Sequence, residues 1–161
     1  AIPASKGWGY FATGQMLVKE GLPEQADTWF ATAIQQNPDN KEWWLVRANT
    51  ARGIGRVDES LHIYQDAAKR FPDWAELYYE MAWGWKIKGE AQKAIGAIEQ
   101  SISLSQGIVG RYHYRAGQIF EWHGDLEDAL NAYLMAVTLL PHNRAATNAL
   151  QRLRLEIETE K

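Results

Sequence analysis

The sequence predicts an all-α fold made of stacked helical pairs, and two observations lead to this prediction. The stretch 75–104 contains two amphipathic segments on either side of a turn at Gly89, and the first segment has apolar residues at the i, i+3, i+4 and i+7 spacing of one helix face. Those residues are Tyr78, Met81, Ala82 and Trp85. A helical pair this short cannot enclose its own apolar faces, and copies of it recur along the chain with a period near 34 residues.

Glycines mark the period, because Gly21, Gly55 and Gly89 lie 34 residues apart and Gly124 follows after 35. Small, large apolar and proline residues repeat at the same steps: Gly14, Ala48, Ala82 and Gly117; Ala26, Ser60, Ala94 and Ala129; Phe30, Tyr64, Ile98 and Tyr133; Ala33, Ala67, Ser101 and Ala136; Pro38, Pro72 and Pro141. This pattern resembles the tetratricopeptide repeat family over about residues 7–141. The resemblance implies a right-handed α-solenoid of four helix-turn-helix repeats plus a C-terminal capping helix, with the first helix of each repeat lining a concave groove.

The repeat frame divides the chain into a flexible lead (1–6), four repeats (7–40, 41–74, 75–109 and 110–143) and a C-terminal capping helix (144–161). We expect helices at 8–20, 23–36, 41–52 and 57–70, then two within 75–104 joined by a turn at 88–90. Further helices are expected at 109–123, from the Asp125 cap to 139, and at 144–158. Pro23 suits the first turn of a helix, and aspartate is a residue type that caps a helix start. The prediction is therefore nine helices.

The last helix carries an apolar stripe and a polar face, as the terminal element of a repeat array must. The stripe consists of Ala146, Ala149, Leu150, Leu153 and Ile157, and the polar face of Arg152, Arg154, Glu156 and Glu158. We expect the stripe to cover the fourth repeat at Phe120, Leu134 and Val137. Docking onto a partner or a second copy is the alternative role for this helix.

Three positions depart from the repeat pattern. Gln106 stands where the other repeats have their closing proline, and the surrounding stretch 103–110 holds the one extra residue of the array. Arg47 occupies the place of a large aliphatic residue, and His113 that of an aromatic one. We therefore expect the junction between the third and fourth repeats to be irregular.

The composition indicates a folded protein, since 46% of the residues are hydrophobic and the net charge is only -3. Acidic and basic residues are interleaved, which argues against a nucleic-acid partner, and no apolar run approaches the ~18 residues of a membrane span. The absence of cysteine excludes disulfides and leaves both the cytoplasm and the bacterial periplasm open. The start at Ala1 suggests an excised domain or a processed product.

No motif in the sequence points to catalysis, a metal or a cofactor. No two of the four histidines have the i, i+4 spacing of a helical metal pair. The one GxG, at 53–55, follows a helix rather than a strand, and there is no P-loop, nucleophile elbow or cysteine nucleophile. The prediction is a protein that is not an enzyme.

The repeat frame predicts which residues line the groove. They are Phe11, Gln15, Leu45, Asn49, Arg52, Tyr79, Trp83, Lys86, Arg111, Tyr114, Arg115 and Gln118, with Trp8 and Trp122 toward the two ends. Packing against a neighbouring helix is the alternative for the two end residues. Trp83 and Trp85 point about 200° apart on a helix, so the frame assigns Trp85 to the core and Trp83 to the groove.

Some members of the family hold the C-terminal carboxylate of chaperone tails with lysine, asparagine and a basic pair. Here Leu45 stands in the place of the lysine, and Glu80 in the place of an asparagine. Because Glu80 would repel a carboxylate, the sequence predicts that chaperone tails are not the ligand.

The favoured function is a non-enzymatic protein-protein interaction scaffold that binds a peptide segment or protein surface in its concave groove. The alternative is a saccharide-contacting or assembly domain of an extracytoplasmic polysaccharide export or glycosyltransferase system, because an indole face suits a sugar ring. A structural spacer that self-associates is a third possibility. The predicted partner is a protein or peptide.

Overall fold

The computed structural model of the protein describes residues 5–159, which contain nine α-helices and no strand. The helices are α1 (Trp8–Lys19), α2 (Pro23–Gln36), α3 (Lys41–Gly53), α4 (Val57–Arg70), α5 (Ala75–Lys88), α6 (Ala91–Leu104), α7 (Gly110–His123), α8 (Leu126–Leu139) and α9 (Arg144–Thr159). The predicted all-α helical-repeat fold class is confirmed. Most of the predicted flexible lead, residues 1–4, lies outside the described part of the chain.

The turns inside the helical pairs follow from the periodic glycines. Gly21, Gly55, Gly89 and Gly124 have φ values of 79°, 82°, 84° and 96°. This left-handed conformation is costly for residues with a Cβ and ordinary for glycine, so each of these glycines ends one helix and allows the next to fold back. Pro23 is the first residue of α2, as predicted.

Contacts divide the chain into two compact units, Ala1–Asp73 and Trp74–Lys161, of which residues 5–73 and 74–159 are described. The core of the first unit is aromatic. Phe11 and Trp43 stack with their ring centroids 5.1 Å apart, and Phe30 packs 5.5 Å from Phe11. Trp8 meets Trp43 edge-on at 5.3 Å. Trp43 is only 1% exposed and therefore anchors this unit.

In the second unit, the last helix packs as the sequence predicts. Leu150 and Leu153 of α9 join Tyr133 of α8 in one buried cluster, and Ala146 is also buried. Ala149, Ile157, Phe120 and Val137 pack around the cluster. The prediction for Leu134 is wrong, because its side chain is 44% exposed.

The departures from the repeat pattern have local explanations. Gln106 has a φ of 56°, a value that the proline ring cannot adopt, so the usual closing residue does not fit this turn. The next turn residue, Gly107, accepts a hydrogen bond from His113 Nε2 at 2.8 Å, which satisfies the buried imidazole. Arg47 forms a two-pronged ion pair with Asp27, at 2.6 and 3.1 Å.

The predicted cap at Asp125 is only partly correct. Asp125 directly precedes α8, but its side chain makes no capping hydrogen bond. A cap of this kind instead begins α9, where Asn143 Oδ1 accepts a bond from the Ala146 backbone N–H at 3.1 Å. Among the described residues, no helix combines the length and the apolar character that a membrane crossing requires.

Two glycines of the second unit should respond in opposite ways to the same substitution. A Cβ at Gly117 would overlap the buried ring of Tyr133, whereas a Cβ at Gly96 has nothing within 4 Å. We expect Gly117→Ala to lower the free energy of unfolding by about 1–3 kcal/mol through overpacking. Gly96→Ala should raise it by about 0.5–1 kcal/mol, because alanine is the better helix former. Urea denaturation measures both, and a stabilising Gly117→Ala would contradict the close helix packing.

Candidate functional site

The most distinctive surface feature of the second unit is an open cavity of ≈ 630 Å³ between α5, α7 and α9. Trp83 and Lys86 of α5 form one wall, and Tyr133 of α8 lies at its base. The facing wall is α7, which contributes Tyr114, Gln118, Glu121 and Trp122. We call this feature the α5–α7–α9 cavity. It brings together Trp83, Lys86, Tyr114 and Gln118 from the predicted groove.

The third wall of the cavity comes from the C-terminal helix. Ala145, Asn148, Ala149 and Arg152 of α9 line it at the i, i+3, i+4 and i+7 spacing of one helix face. The two alanines leave open space, and the other two side chains add an amide and a guanidinium. This face lies beside the buried stripe of α9, so the helix covers the core and lines the cavity at once.

Lys86 is held over two indole rings in the cavity. Its Nζ lies 4.6 Å from the ring centroid of Trp83 and 5.5 Å from that of Trp122. Both distances are within the range of a cation–π contact. No carboxylate among the described residues forms an ion pair with Lys86, so its positive charge is uncompensated within this part of the chain.

The negative charge of the cavity, on Glu121, is already engaged. Its carboxylate accepts a hydrogen bond from the Tyr133 hydroxyl at 2.7 Å and pairs with Arg152 at 2.7 Å. Burial, together with the hydrogen bond to Glu121, raises the pKa of Tyr133 above its usual range. The network therefore joins α7, α8 and α9 by charge-assisted bonds.

Two further predicted groove arginines lie on α7, and both are paired with glutamates of α5. Arg115 packs 3.6 Å from the ring centroid of Tyr79 and lies 3.7 Å from Glu80. Arg111 pairs with Glu76, which also accepts a bond from the Tyr112 hydroxyl at 2.9 Å.

Burial and the hydrogen bond to Glu76 raise the pKa of Tyr112 to about 12. The positive charges of both arginines are thus balanced by side chains of the same unit. Of the predicted basic groove residues in this unit, only Lys86 offers a charge that no described carboxylate balances.

The predicted groove residues of the first unit lie in different environments. Phe11 and Leu45 are buried, so the prediction that they face a ligand is wrong. Asn49 accepts a hydrogen bond from the hydroxyl of Tyr64, and the guanidinium of Arg52 lies 5.9 Å from the same ring. Gln15 is exposed.

A second concavity, of ≈ 660 Å³, lies in the first unit around Trp44 and Pro38. The Trp44 indole N–H donates to the Pro38 carbonyl at 3.0 Å. Its charged lining residues are paired, because Lys69 contacts Asp66 at 2.7 Å and Arg70 contacts Asp39. This concavity is large enough for a ligand, but the charged residues that line it all form ion pairs.

A metal site is not found among the described residues. No group of three or more histidine, aspartate or glutamate side chains there is arranged to hold a metal ion. Glu121, Tyr133 and the α9 wall line the cavity but were not among the predicted groove residues. Glu121 was detectable, because Arg52, Lys86 and Glu121 follow the repeat period at steps of 34 and 35 residues.

The comparisons with known proteins agree with this architecture. A family model described as tetratricopeptide repeat matches residues 11–75. A sequence comparison with curated proteins gives no match. The helical pairs extend through residues 5–159, and the family model matches the first part of this range.

Solved structures extend the likeness in fold over nearly the whole chain. MamA (41-end) from Desulfovibrio magneticus RS-1 has a TM-score of 0.83 at 16% identity, covering 98% of this chain and 88% of that one. Another MamA crystal structure has a TM-score of 0.79 at 20% identity, with 92% and 81% covered. The first tetratricopeptide repeat domain of Spaghetti (RPAP3), bound to the HSP90 peptide SRMEEVD, has a TM-score of 0.69 at 19% identity, with 73% and 93% covered. The chain is therefore similar in fold to tetratricopeptide repeat proteins, and residues 11–75 match the model of that family.

Proposed function

We propose that the chain is a non-enzymatic protein-interaction scaffold that holds a peptide segment or protein surface, and that the α5–α7–α9 cavity is part of its binding surface. The observation that carries the proposal is the composition of the cavity, which combines two tryptophans, two tyrosines, two amides and the unpaired Lys86. Aromatic side chains dominate the binding energy of protein interfaces, and amides and charges orient the partner.

The similar structures support a peptide as ligand. The domain of RPAP3 was solved with a peptide bound, and YrrB, which is 13% identical with a TM-score of 0.71, is described as having an unusual peptide-binding site. A helical-repeat scaffold is therefore able to present a peptide site, and the cavity is where this chain offers suitable side chains.

A saccharide ligand would depend on open indole faces, and here the geometry is unfavourable. The Lys86 ammonium lies over the rings of both Trp83 and Trp122, so a sugar ring would have to displace it. No observation in the described residues favours the polysaccharide-system alternative over a peptide.

A blocking substitution tests the peptide proposal. Ala145 is exposed on α9 and lines the cavity, so Ala145→Trp fills space that a ligand would use without touching the core. Gln151→Trp places the same indole on the same helix outside the cavity and is the matched control. Phage-displayed random peptides are first selected on the immobilised wild-type protein, and their dissociation constants are then measured for both variants by calorimetry.

We expect the selected peptides to bind Ala145→Trp at least about tenfold more weakly than wild type, a loss of about 1.4 kcal/mol. Binding to Gln151→Trp should be unchanged. Equal binding by both variants would place the site elsewhere, and failure to retain peptides above a protein-free support would contradict the peptide-scaffold proposal itself. Light scattering of the wild-type protein shows whether self-association is the alternative.

A further inference from the structure

The charges lining the α5–α7–α9 cavity do not cancel. Lys86 and Arg152 are cations and Glu121 is the anion, so the lining residues carry one excess positive charge. Arg152 pairs with Glu121 at 2.7 Å and also with Glu156, outside the lining, at 3.5 Å. Glu121 accepts a further hydrogen bond from the Tyr133 hydroxyl. The excess charge is therefore located on the Lys86 ammonium, between two indole rings.

We infer that this cavity binds an acidic side chain, glutamate or aspartate, of a peptide segment, with its carboxylate paired to Lys86. The inference rests on the proposed function and names the chemistry of the ligand. A basic side chain would add charge to a site that is already positive, and a neutral one would leave Lys86 without a partner.

Lys86 is prepared for such a ligand before it arrives. A lysine side chain normally loses rotamer freedom when it forms an ion pair, and the loss weakens exposed pairs. Here the two ring contacts already restrict the ammonium, and the side chain is half-buried. Less freedom remains to be lost on binding, so the ion pair contributes more than one formed by a free surface lysine.

The neighbouring amides fit the same ligand. Gln118 of α7 and Asn148 of α9 line the cavity beside Lys86, and their NH2 groups are donors that a carboxylate or a peptide carbonyl accepts. An acidic residue within a chain presents both kinds of acceptor. A single uncompensated lysine matches the single charge of such a side chain.

Charge reversal at Lys86 tests the inference. Lys93 is the matched control, because its Nζ also lies 4.6 Å from an indole centroid, that of Trp85, but it pairs with Glu90 at 3.4 Å and lies outside the cavity. Random peptides displayed on phage are selected in parallel on the wild-type protein, Lys86→Glu and Lys93→Glu. Circular dichroism melting confirms that each variant is folded.

We expect the wild-type and Lys93→Glu pools to be enriched in glutamate or aspartate at an internal position, and the Lys86→Glu pool to be enriched in lysine or arginine instead. In a synthetic wild-type peptide, replacing that acidic residue with its amide should weaken binding about tenfold. Acidic enrichment that persists in the Lys86→Glu pool would overturn the inference.

Other outcomes separate the inference from the proposed function. Peptides that lose affinity for Ala145→Trp but show no acidic enrichment would overturn the acidic ligand and leave the peptide scaffold standing. Enrichment of an acid only at the last residue of the peptide would overturn it in favour of a terminal carboxylate. A selection without any enriched peptide would overturn both.

Discussion

Replacing Leu153 with alanine is expected to lower the free energy of unfolding of the second unit by about 2–5 kcal/mol, the usual cost of a leucine-sized cavity in a core. Leu153 is fully buried in the cluster that joins α8 and α9. Leu155, two residues further along the same helix, is 64% exposed, so Leu155→Ala should change the stability by less than about 0.5 kcal/mol. Urea denaturation followed by circular dichroism measures both variants.

Deleting residues 144–161 is the more severe version of the same experiment. It removes Leu150 and Leu153 together, each contributing about 1.5–3 kcal/mol of burial, and exposes Tyr133 beneath them. We expect the truncated protein to aggregate or to melt well below the full chain. A monomer with an unchanged melting temperature would show that α9 does not cover the core.

The second large effect concerns two tryptophans of α5. Trp85 is 9% exposed, and Trp85→Ala is expected to cost about 3–5 kcal/mol through lost burial and a cavity. Trp83 is only half-buried, and Trp83→Ala removes mainly its contacts with Lys86 and Arg115, so we expect a loss of about 1 kcal/mol. Thermal melting of the two variants decides between these values.

The same pair of variants separates stability from binding. Trp83→Ala should weaken a cavity-binding peptide by roughly 2 kcal/mol, the effect of a binding hot spot, while the protein remains folded. Calorimetric titration of a selected peptide measures this. If Trp83→Ala destabilises the protein as much as Trp85→Ala, Trp83 is a core residue and its place in the cavity needs another explanation.

The helices were predictable because the repeat gives each signal several times. The glycine turns, the buried small residues and the Trp85 position follow from a period of 34 residues, and the structure places each helix end within two residues of the expected position. The irregular junction was also predictable from the one extra residue. The backbone conformation of the junction was not predictable, since no residue type near Gln106 requires the positive φ that Gln106 adopts.

The prediction of groove residues was less successful in the first unit. The repeat frame gives the direction in which a side chain points, but not how deeply that side chain is buried. Phe11, Leu45, Tyr79 and Tyr114 follow the same period, yet only the first two are buried. Trp8 and Trp43 surround Phe11 with rings at 5.8 and 5.1 Å and cover it. A second core position also follows the repeat period, and it is occupied by Trp43, Leu77 and Tyr112, all of which are buried. The period alone would have revealed this position.

The α9 wall of the cavity could not be predicted from the repeats, because α9 lies beyond the last of them. Its apolar stripe indicated packing, and Arg152 was assigned to the solvent face. In the structure that arginine is exposed, and it also pairs with Glu121 at 2.7 Å. An ion pair between distant helices requires knowledge of their packing, which one sequence does not provide.

Because Lys86 lies over two indole rings, a ligand that binds in the cavity should change the tryptophan fluorescence of the protein. Indole emission depends on the electric field at the ring, and a cation at 4.6 Å from Trp83 is a strong local source of that field. A ligand carboxylate that pairs with Lys86 partly cancels the field at Trp83 and Trp122 together. Candidate partners can therefore be ranked by the intrinsic fluorescence of the unlabelled protein, with Trp83→Phe and Trp122→Phe assigning the signal to the two rings among the eight tryptophans of the chain.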